Sequence, residues 1–389
     1  MDNVPPEYPT GSPPVIAAPV YARPPKQGNG WKILAILLIL VLVGLIFTRV
    51  GMRVSRSLAG SGKPVRERET RMEEILVENK SSENKIAVID VDGIISSELA
   101  GRSGKNMVDA ISDQLKVAAR DNDVKAVILK VDSPGGEVLA SDEIYNLLIR
   151  FQKGADGHPG KPVIASMATL AASGGYYVSA PCRWIVANEM TITGSIGVIM
   201  HGYNYRGLMN KVGIRPQTFK SGKLKDMLSG DKNLENPSPE EKAILDEEAR
   251  IVQSLIMETY GKFTNIVATG RNQAYAMRKN ESDKGRPLSG EWVNYIDGRV
   301  LSGRQAFDLG FVDELGNFET AVKRAKSLAG VTEANLIQYQ EPFDLMSMFR
   351  IFGKTAARPP GAAIQVDLGM DFPRLKAGHL YFITPTILR

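Results

Sequence analysis

Three short segments hold the residue types best suited to chemistry: Asp132-Ser133-Pro134-Gly135-Gly136, Ala171-Ala172-Ser173-Gly174-Gly175-Tyr176-Tyr177, and Phe219-Lys220-Ser221-Gly222-Lys223-Leu224-Lys225-Asp226. A Gly-Gly pair lets the backbone turn sharply and bares its N–H groups, because no Cβ stands in the way. Such donors, above all at the start of a helix, stabilise a developing oxyanion. Ser173, directly before Gly174-Gly175, is therefore placed as a nucleophile beside its own oxyanion donor. The plainer reading is a helix N-cap serine with glycines for tight packing, and spacing alone leaves both open.

A serine nucleophile needs a base. His158, His201 and His379 are scattered, and none lies close to these segments. The alternative is a lysine, whose ordinary pKa of about 10.4 must fall by roughly 3 units, on the order of 4 kcal/mol, to be neutral near pH 7. Burial or a neighbouring positive charge does this. By spacing Lys220, Lys223 and Lys225 all qualify, and each also reads as a solvated surface charge.

The elements that must position these residues alternate between strand and helix. The run 85–95 is β-branched and apolar, as a buried strand is. Strands follow at 125–131, 162–167, 183–188, 197–200 and 215–220. Helical spacing marks 107–119, 141–152, a segment from about 173, 205–212, and 304–328 around a turn. The helix over 239–267 has the clearest start: Ser238 as N-cap, Pro239 at the first position and Glu241 completing a capping box. This alternation predicts a parallel sheet of βαβ units flanked by helices. In such sheets ligands bind beyond the carboxyl ends of the strands, where both glycine pairs fall.

The chain has 389 residues, 43% hydrophobic and 23% charged. That is globular composition and excludes a wholly disordered or polytopic membrane protein. Its single cysteine, Cys182, excludes an internal disulfide framework and a four-cysteine zinc site. With the histidines scattered, no metal motif is readable. The net charge of +5 is mild and local, which gives no reason to expect nucleic-acid binding.

Residues 1–30 are proline-rich and predict a disordered or polyproline II tail. Residues 33–47 are uncharged and apolar throughout, and with flanks the stretch is about long enough to span a bilayer. No small-x-small cleavage site follows directly, so 31–50 is read as one uncleaved transmembrane helix and 51–83 as a polar tether. The basic residues after the span, from Arg49 to Arg68, would by the positive-inside rule keep the C-terminal part in the cytoplasm.

In combination these segments resemble bacterial signal peptide peptidase A in its short, single-repeat form, a membrane-anchored Ser/Lys protease with a ClpP/crotonase-like fold. The resemblance covers 84–335. It rests on DSPGG (132–136), ASGGYYVSAP (172–181), TGSIGVIM (193–200), FKSGKLKDMLS (219–229) and DGRVLSGRQAFDLGFVDELG (297–316). It implies Ser173 as nucleophile, Lys225 as general base, Ser195 as the hydroxyl that orients the lysine, and the N–H groups of Gly136 and Gly174 as the oxyanion hole. It implies no metal and no cofactor. It also implies a homo-oligomer with active sites between subunits, remnant signal peptides as substrates, and a domain outside the cytoplasm on the bacterial inner membrane. We follow the resemblance on topology against the basic count.

The proline-rich tail and the long 270–296 segment depart from the pattern. Residues 336–389 form a less typical extension, expected to pack on the domain or at a subunit interface, although LKAGHLYFITP (375–385) resembles a family C-terminal strand. Two rival classes use the same fold: a crotonase-type acyl-CoA enzyme, which needs neither membrane helix nor this serine and lysine, and a non-catalytic membrane scaffold.

Overall fold

The computed structural model describes residues 72–98, 105–277, 285–341 and 379–383. The proline-rich tail, the expected span at 31–50 and most of the tether lie outside the described residues. Among those described, no helix is long and apolar enough to cross a membrane.

The strands that matter to the site are β1 (Glu73–Glu78), β2 (Lys85–Asp92), β3 (Val124–Ser133), β4 (Gly135–Glu137), β5 (Val163–Ala172), β6 (Trp184–Ala187), β7 (Ile192–Gly194), β8 (Ile199–Met200), β9 (Val300–Ser302), β10 (Glu314–Leu315), β11 (Asn335–Gln340) and β12 (Leu380–Ile383). The helices are α1 (Met107–Arg120), α2 (Val138–Lys153), α3 (Gly174–Ser179), α4 (Arg206–Lys211), α5 (Pro239–Ala276), α6 (Gly303–Asp308) and α7 (Phe318–Ala329). The main sheet runs β1-β11-β2-β3-β5-β6-β10, and β7 pairs with both β5 and β9. From β11 to β10 neighbouring strands are parallel, and β1 joins the edge antiparallel. A mixed α/β fold with a largely parallel sheet is thus what the strand–helix alternation predicted.

Apolar residues of β3 alternate between two cores, as strand geometry requires. Val127, Leu129 and Val131 join the larger cluster with residues of α1, α2, α3 and α5, whereas Ala126 and Ile128 pack toward Ala321, Val322 and Ala325 of α7. Helix starts follow local chemistry. The Ser238–Glu241 capping box opens α5 as expected, with Pro239 at its start, and Asn317 and Thr320 do the same for α7. At the other end of α1 the Lys161 ammonium donates to the carbonyls of Ala118 (2.7 Å) and Asp121 (2.6 Å), groups that the helix leaves without partners.

Two sequence expectations change. Residues 215–220 form no strand: Pro216 has no N–H to give, Phe219 is 87% exposed, and among the described residues no strand pairs with the segment. Conversely Glu73–Glu78, within the stretch read as a tether, is an edge strand paired with β11. Its three glutamates masked a short Ile75-Leu76-Val77 run. The sheet therefore extends at both ends beyond 84–335.

One buried ion pair locks the architecture. Arg271 of α5 and Asp313, both with fully buried side chains, are hydrogen-bonded to one another. Arg271 also donates to the carbonyls of Ala180 and Cys182, and Asp313 accepts from the Ile185 N–H of β6 (2.9 Å). Removing one partner leaves the other charge stranded without water. Arg271→Ala is expected to lower unfolding free energy by about 3–5 kcal/mol, read as a shift in the denaturant midpoint.

Candidate active site

Ser173 sits at the turn from β5 into α3. Its backbone is left-handed (φ 55°, ψ −115°), a conformation that costs a non-glycine residue on the order of 1–3 kcal/mol. Such strain at a strand-to-helix turn aims a side chain away from both elements, as in nucleophile elbows. The Ser173 N–H is taken by the Gly194 carbonyl (2.8 Å), and its own carbonyl accepts from Tyr177 N (2.8 Å). The side chain caps nothing: its Oγ is buried and has no hydrogen-bond partner. The N-cap reading of Ser173 therefore fails on geometry, since a capping serine accepts from the first turn of its helix.

The two glycine pairs meet at this point. A Cβ built on Gly174 would lie 2.8 Å from Ser141 Oγ, 3.0 Å from Gly135 Cα and 3.1 Å from Gly136 N. Gly135 has φ +100°. The N–H of Gly174, first residue of α3, has no acceptor within its own helix, and Gly136 N stands beside it. Ser195 is brought to the same place by register. Ala172 of β5 pairs with Gly194 of β7, so Ser173 and Ser195 are the next residues on adjacent strands. Ser195 is 4% exposed and also left-handed (φ 50°), its N–H donating to the Arg299 carbonyl (2.8 Å).

Lys225 is not brought to Ser173 within the chain. It is exposed, in a turn whose N–H bonds to the Gly222 carbonyl (3.1 Å), and Ser173 Oγ has no partner of any kind. The other two candidate lysines are committed elsewhere: Lys220 to both carboxylate oxygens of Asp226 (2.9 Å) and Lys223 to Glu247 (2.6 Å). No histidine replaces them at Ser173. Cys182 is no rival nucleophile either, because burial pushes its thiol up to about 12.

Sequence reasoning missed the frame behind the serine. Tyr176 OH donates to the Phe311 carbonyl (2.9 Å) and Tyr177 OH to Asp142 (2.7 Å), which in turn pairs with Lys262 (2.7 Å). Burial, then the Asp142 hydrogen bond, pushes the Tyr177 phenol well above its usual range, so it stays a neutral donor. The adjacent Tyr176-Tyr177 was the available signal, since large hydroxyl-bearing rings after a glycine pair must bury and find acceptors.

The sequence profile of Peptidase family S49 matches residues 155–332, and that of Clp protease matches 81–191. The chain is 36% identical over 268 residues to "Putative signal peptide peptidase SppA" of Enterococcus faecium, covering 68% of this chain and 69% of that one. It is 38% identical over 251 residues to "Putative protease slr0021" of Synechocystis sp., covering 64% and 76%. Against "Protease 4" of Haemophilus influenzae it is 35% identical over 264 residues, 67% of this chain but 38% of the relative.

The close approach of the glycine backbones predicts a specific failure. Gly174→Ala should destabilise the fold by about 1–3 kcal/mol through overpacking. Ser141→Ala in the same chain removes the nearest atom and should recover part of that loss, read by thermal melts of the single and double variants.

Proposed function

Given that the chain belongs to peptidase family S49 and is a serine protease, we propose that Ser173 is its nucleophile, Lys225 its general base and Ser195 the hydroxyl that orients the base. The observation that carries this is the buried, unpartnered Ser173 Oγ at a strained turn beside two glycine N–H groups. The N–H and carbonyl of Ser173 are both engaged, which leaves its hydroxyl as the free polar group of that residue.

The base comes from a second copy of the chain. Of the three closely spaced lysines only Lys225 makes no ion pair among the described residues, and it lies on the surface. The same part of the chain exposes Tyr203, Leu208, Val212, Ile214 and Phe219, apolar side chains that a homo-oligomer would cover. Docking against Ser173 would also remove the ammonium from water, which favours the neutral amine that a base must be.

Neutral Lys225 takes the Ser173 proton as Oγ attacks the scissile carbonyl. The N–H groups of Gly136 and Gly174 stabilise the oxyanion. As the C–N bond breaks, the lysine proton goes to the leaving amine, and an acyl-enzyme remains. Water, deprotonated by the same lysine, then releases the acid. No step calls for a metal or cofactor. Substrates are peptides lying at or near a membrane, remnant signal peptides among them, in keeping with the name of the Enterococcus faecium relative. Residues 31–50 anchor the enzyme in the inner membrane with the protease domain outside the cytoplasm.

A serine-directed fluorophosphonate should label the assembled protein at Ser173, and Ser173→Ala and Lys225→Ala should each abolish peptide hydrolysis. An unlabelled but assembled protein would sink the protease mechanism. Mixing the two dead variants under conditions of subunit exchange should restore about a quarter of native activity, since one site in four then holds both residues. No recovery would place the lysine in the same subunit as the serine.

A further inference from the structure

The turn between β3 and β4 carries one of the two oxyanion donors of the proposed mechanism, and its polar groups show what aims that donor. The Gly136 N–H and the Gly135 carbonyl belong to one peptide unit. The unit is trans, so the two groups point in opposite directions. Ile95 N donates to the Gly135 carbonyl (2.9 Å), and Glu137 N donates to the Ile95 carbonyl (2.8 Å). The Gly135 carbonyl is held toward Ile95, and the Gly136 N–H is turned away from it. The bond at the carbonyl also polarises the unit and strengthens its N–H as a donor.

A peptide unit held at one end still swings about the dihedrals of the residue before it. Gly135 stands at φ +100°, which glycine adopts freely, so it offers little resistance of its own. The restraint on its other side is Ser133. The Ser133 Oγ accepts from Gly135 N (3.1 Å), and the residue is 0% exposed. This is the bond a turn serine makes with the backbone two residues on. Pro134, between the two, fixes its own φ and brings no N–H. Each peptide flanking Gly135 is thus held by one hydrogen bond, the first by Ser133 Oγ and the second by Ile95 N.

Ser133 is itself firmly seated. It pairs with Ala171 of β5, two residues before Ser173. A Cβ built on Gly175 would lie 2.7 Å from the Ser133 carbonyl oxygen and 3.4 Å from Ser133 Cβ. The β3–β5 register shifts just before this pair, since Val131 is opposite Met167. At the shift Asp132 Oδ1 accepts from Leu170 N (3.0 Å), which keeps the two strands joined. Ser133 therefore ties the donor turn to the strand that ends in the nucleophile.

We propose that Ser133 is a positioning residue for the hydrolysis: without touching substrate, its hydroxyl oxygen fixes the turn so that the Gly136 N–H is aimed at the oxyanion. The proposal rests on the Ser/Lys reading above and adds to it the group that sets one oxyanion donor. A donor that is slightly misaimed matters little while the peptide is merely bound. It matters most when charge develops on the carbonyl oxygen, so Ser133 acts on kcat and not on KM.

The test uses the full-length, assembled enzyme, a fluorogenic peptide, and a peptide boronic acid of the same sequence, one of whose hydroxyls takes the oxyanion's place. Ser133→Ala should lower kcat about tenfold at unchanged KM, short of the roughly hundredfold or more that loss of a whole donor costs. The boronic acid should bind that variant weaker by the same factor, and Ser173 should still label to completion with the fluorophosphonate. Ser133→Thr keeps the acceptor and should return kcat to within about twofold of native. Thr191→Val is the control for general loosening, because Thr191 is another buried hydroxyl that accepts a backbone N–H (Asn188, 3.1 Å), outside this turn. It should keep native kcat and native boronate affinity. Should Ser133→Ala not assemble, Ser133→Cys, with a weaker acceptor, should lose about threefold in both measures. Native kcat and boronate affinity in the Ala or Cys variant overturn the role of Ser133 and leave the Ser/Lys reading standing. So does an equal loss in Thr191→Val, a change in KM with kcat held, or a Ser133→Thr variant that melts like the native enzyme yet is as slow as Ser133→Ala. A native enzyme that neither labels nor cleaves overturns the Ser/Lys reading, and the role of Ser133 with it.

Discussion

Two backbones can approach as closely as Gly135-Gly136 and Gly174-Gly175 do only if neither carries a Cβ. A methyl at Gly174 would press on Ser141, Gly135 and Gly136 together, and one at Gly135 would run into the Phe382 carbonyl. This contact joins the carboxyl end of β3 to the start of α3, and the remaining geometry follows from it. It sets two N–H groups side by side and forces Ser173 into a left-handed turn, with the Oγ buried and unpartnered. The strain is tolerable because the surroundings over-determine the turn. The serine N–H is fixed by Gly194, Tyr177 N bonds back to the serine carbonyl, and both tyrosines of α3 anchor to distant elements.

The frame behind this turn is buried, while the segment that carries the three closely spaced lysines is exposed. Arg271 and Asp313 tie α5, the end of α3 and β6 into one block. By contrast the stretch from Tyr203 to Leu234 exposes one large apolar side chain after another, and Lys220, Lys223 and Lys225 lie on its surface. A single chain thus brings Ser173, Gly136 and Gly174 together and leaves Lys225 on the surface. Under the proposed mechanism such a division makes activity depend on assembly, because the base then has to come from a second copy of the chain.

Local signals made most of the architecture legible. The apolar alternation of β3, the capping box at Ser238 and the glycine pairs each act over a few residues, so they can be read one segment at a time. Where packing overruled local pattern, the reading slipped. The glutamates of β1 read as tether because their aliphatic neighbours are too few to announce a strand, and the partner strand β11 is supplied from the other end of the chain. Arg-Pro-Gln-Thr-Phe-Lys at 215–220 has strand-like composition but finds no edge to pair with among the described residues. The aromatic contacts of Tyr177, Phe263 and Phe382 were invisible for a similar reason: they join residues from three remote segments.

What the sequence determined by itself was the chemical inventory and its order: a serine before a glycine pair, a second glycine pair at a strand end, a run of lysines, and the strand–helix alternation that sends both glycine pairs to one end of a parallel sheet. Those properties belong to neighbouring residues and survive without a fold. Only the tertiary structure decided that Ser173 Oγ caps nothing, that Lys225 stands apart from it within one chain, and that a C-terminal strand runs along Gly136. Each of these depends on which distant backbone fills a given space, and sequence spacing carries no information about that.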